Sequence, residues 1–199
     1  MRYRTIAADP PWPQQGAGPP WPQQGAGPLR GREGYGDALC GSSKDMPYPT
    51  MTVDAIKALP VSGLAEDDAH LYLWTTNGFL RDAFDVVTAW GFRYSTLLVW
   101  AKAPMGGGLG GDYGISTEFV LFARRGSLPA HGRIGRTWFD WKRPYDERGK
   151  PRHSAKPGEF YAMAEQVSPG PYLELFARDR RLFWDGWGNE VPTHVELIA

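Results

Sequence analysis

Residues 5–12 read TIAADPPW, a short apolar run that stops at an acid, two prolines and an indole. A run that reads as a strand and ends on an acid puts a carboxylate where open α/β sheets bind ligands, beyond the carboxyl end of a strand. Both prolines fix φ and lack an N–H, so the turn is stiff and its carbonyls are left as acceptors. A carboxylate, a rigid carbonyl and a flat ring leaving one turn suit a planar group that carries an –NH2. The nine residues PPWPQQGAG of 10–18 recur immediately as 19–27, but the second copy follows Gly18 instead of Asp9 and follows no strand. Trp21 therefore reads as non-catalytic, and the second copy as added length in the loop after the turn.

Further strand-like runs recur at Leu71–Trp74, Leu97–Trp100, Glu118–Phe122, Leu173–Phe176 and Leu182–Trp184. Most are short and continuous, as in strands covered on both faces. Helical patterns lie between them. Asn77 is placed to cap a helix carrying Phe79, Leu80, Phe84, Val87 and Trp90 inward, and Thr52 to cap a shorter one with Val53, Ile56 and Leu59. Pro157 suits the first turn of a third helix, with Phe160, Tyr161, Ala164 and Val167 on one side. Strands alternating with helices predict a single α/β domain over 1–199 with a mostly parallel sheet. Two stretches break the pattern. Residues 13–50 are rich in Gly, Pro and Gln and read as a long mobile loop. Residues 104–153 hold a glycine tract, one strand and a basic segment, and read as a target-recognition insertion.

At 199 residues, 42% hydrophobic and 14% aromatic, the chain can bury a sizeable core, and its nine tryptophans serve cores and flat-ligand pockets alike. Zero net charge conceals an uneven distribution: Arg124–Lys156 holds ten Lys/Arg against three Asp/Glu. Such a segment can bind phosphates in a neutral protein. Cys40 is the single cysteine, which excludes an internal disulfide and cysteine-based zinc sites and fits a reducing cytoplasm. The four histidines show no metal-ligand spacing, so no metal site is expected. No apolar run predicts a membrane span or a secretory leader. No G-x-G-x-x-G occurs, so the glycines at 106–111 do not read as a phosphate cradle.

The Asp9-Pro10-Pro11-Trp12 turn resembles that of the N(6)-adenine methyltransferases related to the catalytic subunit of the mRNA adenosine methyltransferase, a family with many bacterial and phage members acting on DNA. The likeness continues in order through Leu71–Thr76, Trp90-Gly91-Phe92, Leu98–Lys102, Glu118, Arg125-Gly126, His153–Pro157, Glu174–Arg178 and Trp187–Glu190. It implies a Rossmann-like fold in permuted order, with the catalytic turn ahead of the cofactor-binding half. It implies S-adenosylmethionine as cofactor and the 6-amino group of adenine in nucleic acid, DNA before RNA, as acceptor.

By the same resemblance Asp9, Pro10, Pro11 and Trp12 form the catalytic turn, Asp9 lying also beside the cofactor. Ser154 and Lys156 touch cofactor and substrate, and Glu174, Arg178, Asn189 and Glu190 hold the cofactor. Trp12 and Glu118 face the target, while Arg133, Arg136, Lys142 and Arg143 are candidates for flanking phosphates. Plainer readings exist: Arg178 beside Arg180 and Arg181 could be surface charge, and Asn189 could shape a turn. Other readings of the whole are a non-catalytic nucleic-acid-binding subunit, a methyltransferase for another amine, and a proline-rich interaction module. The likeness leaves open whether the protein acts alone, as a homodimer or with a partner subunit.

Overall fold

A computed structural model describes residues 1–13, 50–102, 113–150, 152 and 155–195. Its elements are β1 (Tyr3–Ala8), α1 (Val53–Lys57), α2 (Val61–Leu64), β2 (Ala65–Thr75), a 3₁₀ turn (Asn77–Phe79) leading into α3 (Leu80–Ala89), β3 (Arg93–Ala101), β4 (Thr117–Arg125), β5 (Trp138–Phe139), α4 (Gly158–Val167), β6 (Tyr172–Leu175) and β7 (Trp184–Trp187). The strands form one seven-stranded sheet in the order β5-β3-β4-β2-β1-β6-β7. β1 pairs parallel with β2 and β6, β6 with β7, and β3 with β5, whereas β4 runs antiparallel to both β2 and β3. Six strands thus point one way and β4 alone is reversed. The carboxyl ends of the six and the amino end of β4 share one edge.

Side chains alternate across the sheet with period two. Ile6, Ala8, Leu71, Leu73, Leu121, Leu173 and Leu175 face α1 and α3. Ala7, Tyr72, Trp74, Leu98, Trp100, Val120 and Phe122 face α4. Both faces are covered, which is why the strands read as continuous apolar runs.

Thr52 caps α1 as its sequence suggests, its hydroxyl accepting from the Ala55 N–H at 3.1 Å. Pro157 stands at the N-cap of α4, whose Phe160, Tyr161, Met163 and Ala164 are buried. Asn77 departs from expectation: it opens the 3₁₀ turn with an exposed side chain, and α3 has no side-chain cap. Phe84 is 37% exposed, because Ala83, Val86 and Val87 set the inward stripe and Phe84 falls beside it. The last strand also lies later than its apolar run. Leu182 and Phe183 are exposed, Phe183 adopts φ 69°, and β7 begins at Trp184.

Segment 104–153, expected as an insertion around one strand, instead contributes β4 to the middle of the sheet and β5 to its edge. The second PPWPQQGAG copy with Trp21, and the glycines at 106–111, lie outside the described residues. The residues flanking that stretch are described: the Met51 N–H donates to the Pro11 carbonyl at 2.8 Å, so the chain returns to the turn it left.

Candidate active site

Period-two alternation sets which face each polar side chain takes at the carboxyl edge. Asp9 follows Ala7, Lys102 follows Trp100, Glu118 precedes Val120, and Glu174 lies between Leu173 and Leu175. Each is therefore directed to the α4 face, and Lys156 arrives on the same side just before α4. The reversal of β4 is what brings Glu118, at a strand start, to an edge otherwise made of strand ends. A register slip of one residue would send any of these groups to the opposite face.

Lys156 is the hub. Its side chain is only 9% exposed, with Nζ 2.8 Å from Asp9 Oδ2 and 3.3 Å from Glu118 Oε2. The other Glu118 oxygen takes a hydrogen bond from Lys102 Nζ. Cations and carboxylates alternate along Lys102–Glu118–Lys156–Asp9, so the buried charges cancel within the cluster. Lys156 also lies over the Trp74 ring, 5.1 Å from its centroid, and Lys102 over Trp100 at 4.8 Å. Burial alone would depress the Lys156 ammonium, but the Asp9 and Glu118 carboxylates outweigh it and hold its pKa above the usual lysine value. Burial pushes Glu118 upward, yet Lys156 and Lys102 together pull it below the ordinary range. For Asp9 burial dominates and its pKa is raised, with Lys156 offsetting only part of the cost.

Along β6, Ala7 pairs with Glu174 across the β1–β6 ladder. Glu174 accepts a hydrogen bond from the Tyr161 hydroxyl, and Arg181 Nε lies 3.7 Å from its other oxygen. The Arg181 guanidinium covers the Tyr161 ring at 3.5 Å. Burial pushes Glu174 up to about 7, against the pull of Tyr161 and Arg181. Beyond β6 the chain turns at Phe176, a non-glycine residue at φ 64° whose ring meets Trp187 edge-on. Strain of this kind persists only where surrounding packing enforces it. The turn carries Arg178, which lies 4.0 Å from Glu190 and contributes to the field at Asp9. After β7, Gly188 packs so tightly on Ala177 that a Cβ would stand 2.2 Å from its carbonyl oxygen. That contact seats Asn189 and Glu190, both exposed, beside the β6 exit.

Two expectations for the Asp9 turn need correction. The Pro10 and Pro11 carbonyls are not free: the first accepts from Trp12 N–H and the second from Met51 N–H, each at 2.8 Å, leaving one lone pair apiece. Trp12 is not an open platform. The residue is 8% exposed with its ring stacked on Phe79, and its indole N–H donates to the Trp74 carbonyl at 3.0 Å. It pins the turn to the end of β2. Of the remaining candidates, Arg133 and Arg136 line a cavity below β5 that Lys142 and Arg143 do not line, and Ser154 lies outside the described residues. Sequence reading gave no site role to Lys102, Tyr161 or Arg181. Lys102 follows a strand end as Asp9 does, a signal that was present. Tyr161 read only as a core position, and Arg181 only as a charged neighbour.

A profile of the MT-A70 family matches residues 3–190, a span that holds every side chain of the cluster. The chain belongs to the MT-A70 family. The MT-A70 assignment accounts for the Rossmann-like order of the sheet, with the Asp9 turn first and the Glu174 strand late. Over 197 residues the chain is 31% identical to the type II methyltransferase M.MunI of Mycoplasma sp, covering 96% of this chain and 78% of that one. It is 29% identical over 156 residues to an N(6)-adenosine-methyltransferase MT-A70-like protein of Drosophila melanogaster. It is 26% identical over 171 residues to the human N(6)-adenosine-methyltransferase catalytic subunit METTL3. Each of these two matches covers 74% of this chain but only 24% and 26% of the relative. Among the described residues no group of His, Cys, Asp and Glu is placed to hold a metal ion, and no helix is long and apolar enough to cross a membrane.

Proposed function

We propose that the chain is an S-adenosylmethionine-dependent methyltransferase acting on the exocyclic 6-amino group of adenine in nucleic acid. The observation that carries this reading is the Asp9 carboxylate, held at the carboxyl end of β1 by Lys156 at 2.8 Å and directed to the same sheet face as Glu174. DNA is favoured over RNA as the polymer. The relative matched over most of its own length is the type II methyltransferase, whereas those named for adenosine are matched over about a quarter of theirs. The single cysteine supports a reducing, cytoplasmic setting.

The donor set fits the cofactor. Carboxylates at Asp9 and Glu174 suit a cationic sulfonium and the hydroxyls of a ribose, and Lys156 and Arg178 suit an amino acid carboxylate. Asn189 and Glu190 complete the rim. When bound, the cofactor supplies the methyl group. The protein's own contribution begins with Lys156, which occupies Asp9 Oδ2 and so leaves Oδ1 to accept a hydrogen from the target amine. The remaining lone pair on the Pro10 carbonyl can accept the other. Two such bonds draw the amine lone pair out of ring conjugation, where it is a poor nucleophile, and towards the incoming methyl. Alignment of two bound reactants accounts for about 7–11 kcal/mol of barrier reduction. No strong base is needed, because the nitrogen becomes acidic as it is alkylated. Its proton then passes to Asp9 or to water.

The test is incubation with labelled S-adenosylmethionine and DNA or RNA, followed by nucleoside analysis. N(6)-methyladenine should form, and Asp9→Ala should abolish it with the fold intact. A fully active Asp9→Ala variant would remove the reading. Calorimetry showing no cofactor binding would point instead to a non-catalytic nucleic-acid-binding subunit.

A further inference from the structure

On the α4 face, about 13 Å along β4 from Glu118 at the usual strand rise, lies a cavity of 560 Å³ between β3, β4, β5 and α4. Leu98, Phe122 and Met163 give it an apolar interior, and Arg124, Arg133 and Arg136 stand around it. No lining residue is acidic. None of the three arginines takes part in an ion pair among the described residues. Two of them lie over aromatic faces instead: Arg124 over Phe122 at 5.5 Å, and Arg136 over Trp138 and Phe139 at 5.6 and 5.4 Å. The volume falls in the range of small-ligand sites. Guanidinium planes without a carboxylate partner, two of them exposed, suit an oxyanion that accepts two hydrogen bonds at once. Ring-bearing walls call for a flat, weakly polar body next to it. A metal or a cationic ligand fits neither half.

We propose that this cavity binds a nucleoside phosphate, with the base in the apolar interior and the phosphate on the arginines. Its source is an unpaired nucleotide of the substrate strand flanking the target, since the cavity lies on the sheet face to which Asp9 and Glu118 are directed. That assignment of source rests on the nucleic-acid reading above; the ligand chemistry does not. The cavity would then choose substrates with an unstacked neighbour beside the reacting adenine.

The experiment measures binding of a short single-stranded oligonucleotide and, separately, of a free mononucleotide. Wild type is compared with Thr96→Trp, which fills the cavity from β3 and keeps all three arginines, and with the double change Arg133→Gln, Arg136→Gln. Both variants should weaken oligonucleotide binding about tenfold, and the double change should lower the salt dependence by about one ion per arginine. S-adenosylmethionine binding and melting temperature should stay unchanged in Thr96→Trp. Loss confined to the mononucleotide would keep the ligand chemistry and make the free nucleotide its source. Wild-type affinity for both probes in a folded Thr96→Trp protein overturns the proposal. If that variant does not fold, unchanged binding in the arginine variant does the same. Absence of methyl transfer by the wild type refutes the proposed function while leaving the mononucleotide measurement readable.

Discussion

Lys156 bridges Asp9 and Glu118 through a single nitrogen, 2.8 Å from the first and 3.3 Å from the second. Removing the ammonium leaves two carboxylates facing each other in a poorly solvated space. Lys156→Met should therefore cost about 3–5 kcal/mol of stability, as expected when one partner of a buried ion pair is deleted. Chemical denaturation measures it, and an unchanged midpoint would contradict the coupling. Asp9→Asn, by contrast, keeps the shape but exchanges an acceptor for a donor. Methyl transfer should fall at least about 100-fold while the folded state persists.

Trp12 distinguishes a pin from a platform. Trp12→Phe keeps a ring against Phe79 but loses the bond to the Trp74 carbonyl, which should cost about 1–3 kcal/mol because that buried carbonyl is left without its partner. Nucleic-acid affinity should stay close to wild type. A variant of full stability but weakened substrate binding would restore the stacking role that the sequence suggested.

Glu174, with its pKa near 7, makes stability depend on pH. Between pH 4.5 and 7 the folded protein holds a proton that the unfolded chain has released, so this group's contribution falls as pH rises through that window. Glu174→Gln, which keeps an acceptor for Tyr161, removes the effect. The variant should gain up to about 3 kcal/mol over wild type above pH 7, with the gain vanishing below pH 4.5. The buried His70 acts with the opposite sign. It is bonded to Ser168 at 2.7 Å and to the Leu128 carbonyl at 3.1 Å, and burial lowers its pKa to about 4. Its contribution is lost as pH falls from 6.5 towards 4, in both proteins alike, so it cancels in the difference. Melting curves of the two proteins across pH provide the check.

Gly188→Ala introduces a methyl group where 2.2 Å separates its site from the Ala177 carbonyl oxygen. Backbone on both sides has little freedom to move, so the β6 and β7 exits should be forced apart. The expected result is a loss of about 1–3 kcal/mol together with weakened cofactor binding. Thermal melting and calorimetry would show both, and a silent substitution would mean that Asn189 and Glu190 need no such seating.

The sheet was legible because six strands announce themselves by apolar runs ending on turn residues or charges, with Asp9 and Lys102 each just past an end. The reversal of β4 was not, since no local pattern encodes strand direction. The α3 start lies later than Asn77 suggests, because a 3₁₀ turn intervenes between that capping side chain and the helix. β7 starts later than the apolar Leu182 and Phe183 suggest, because the positive φ of Phe183 breaks the extended run. At the site, the acids and Lys156 could be carried over from motif likeness. The partners that fix their charge state, Lys102 for Glu118 and Arg181 for Glu174, depend on long-range contacts that a linear reading does not supply.

Because β3 finishes and β4 begins at the same rim, with the Lys102 N–H bonded to the Ser116 carbonyl at 2.8 Å, both flanks of the intervening segment are anchored beside the Lys102–Glu118 pair. A second such bond closes Met51 on Pro11. Because each pair of anchors is held by a backbone bond just past a strand end, chain added or deleted between them leaves the strand ladder intact. The second copy of the nonapeptide falls between one such pair, so the sheet bears its extra length without a change of register.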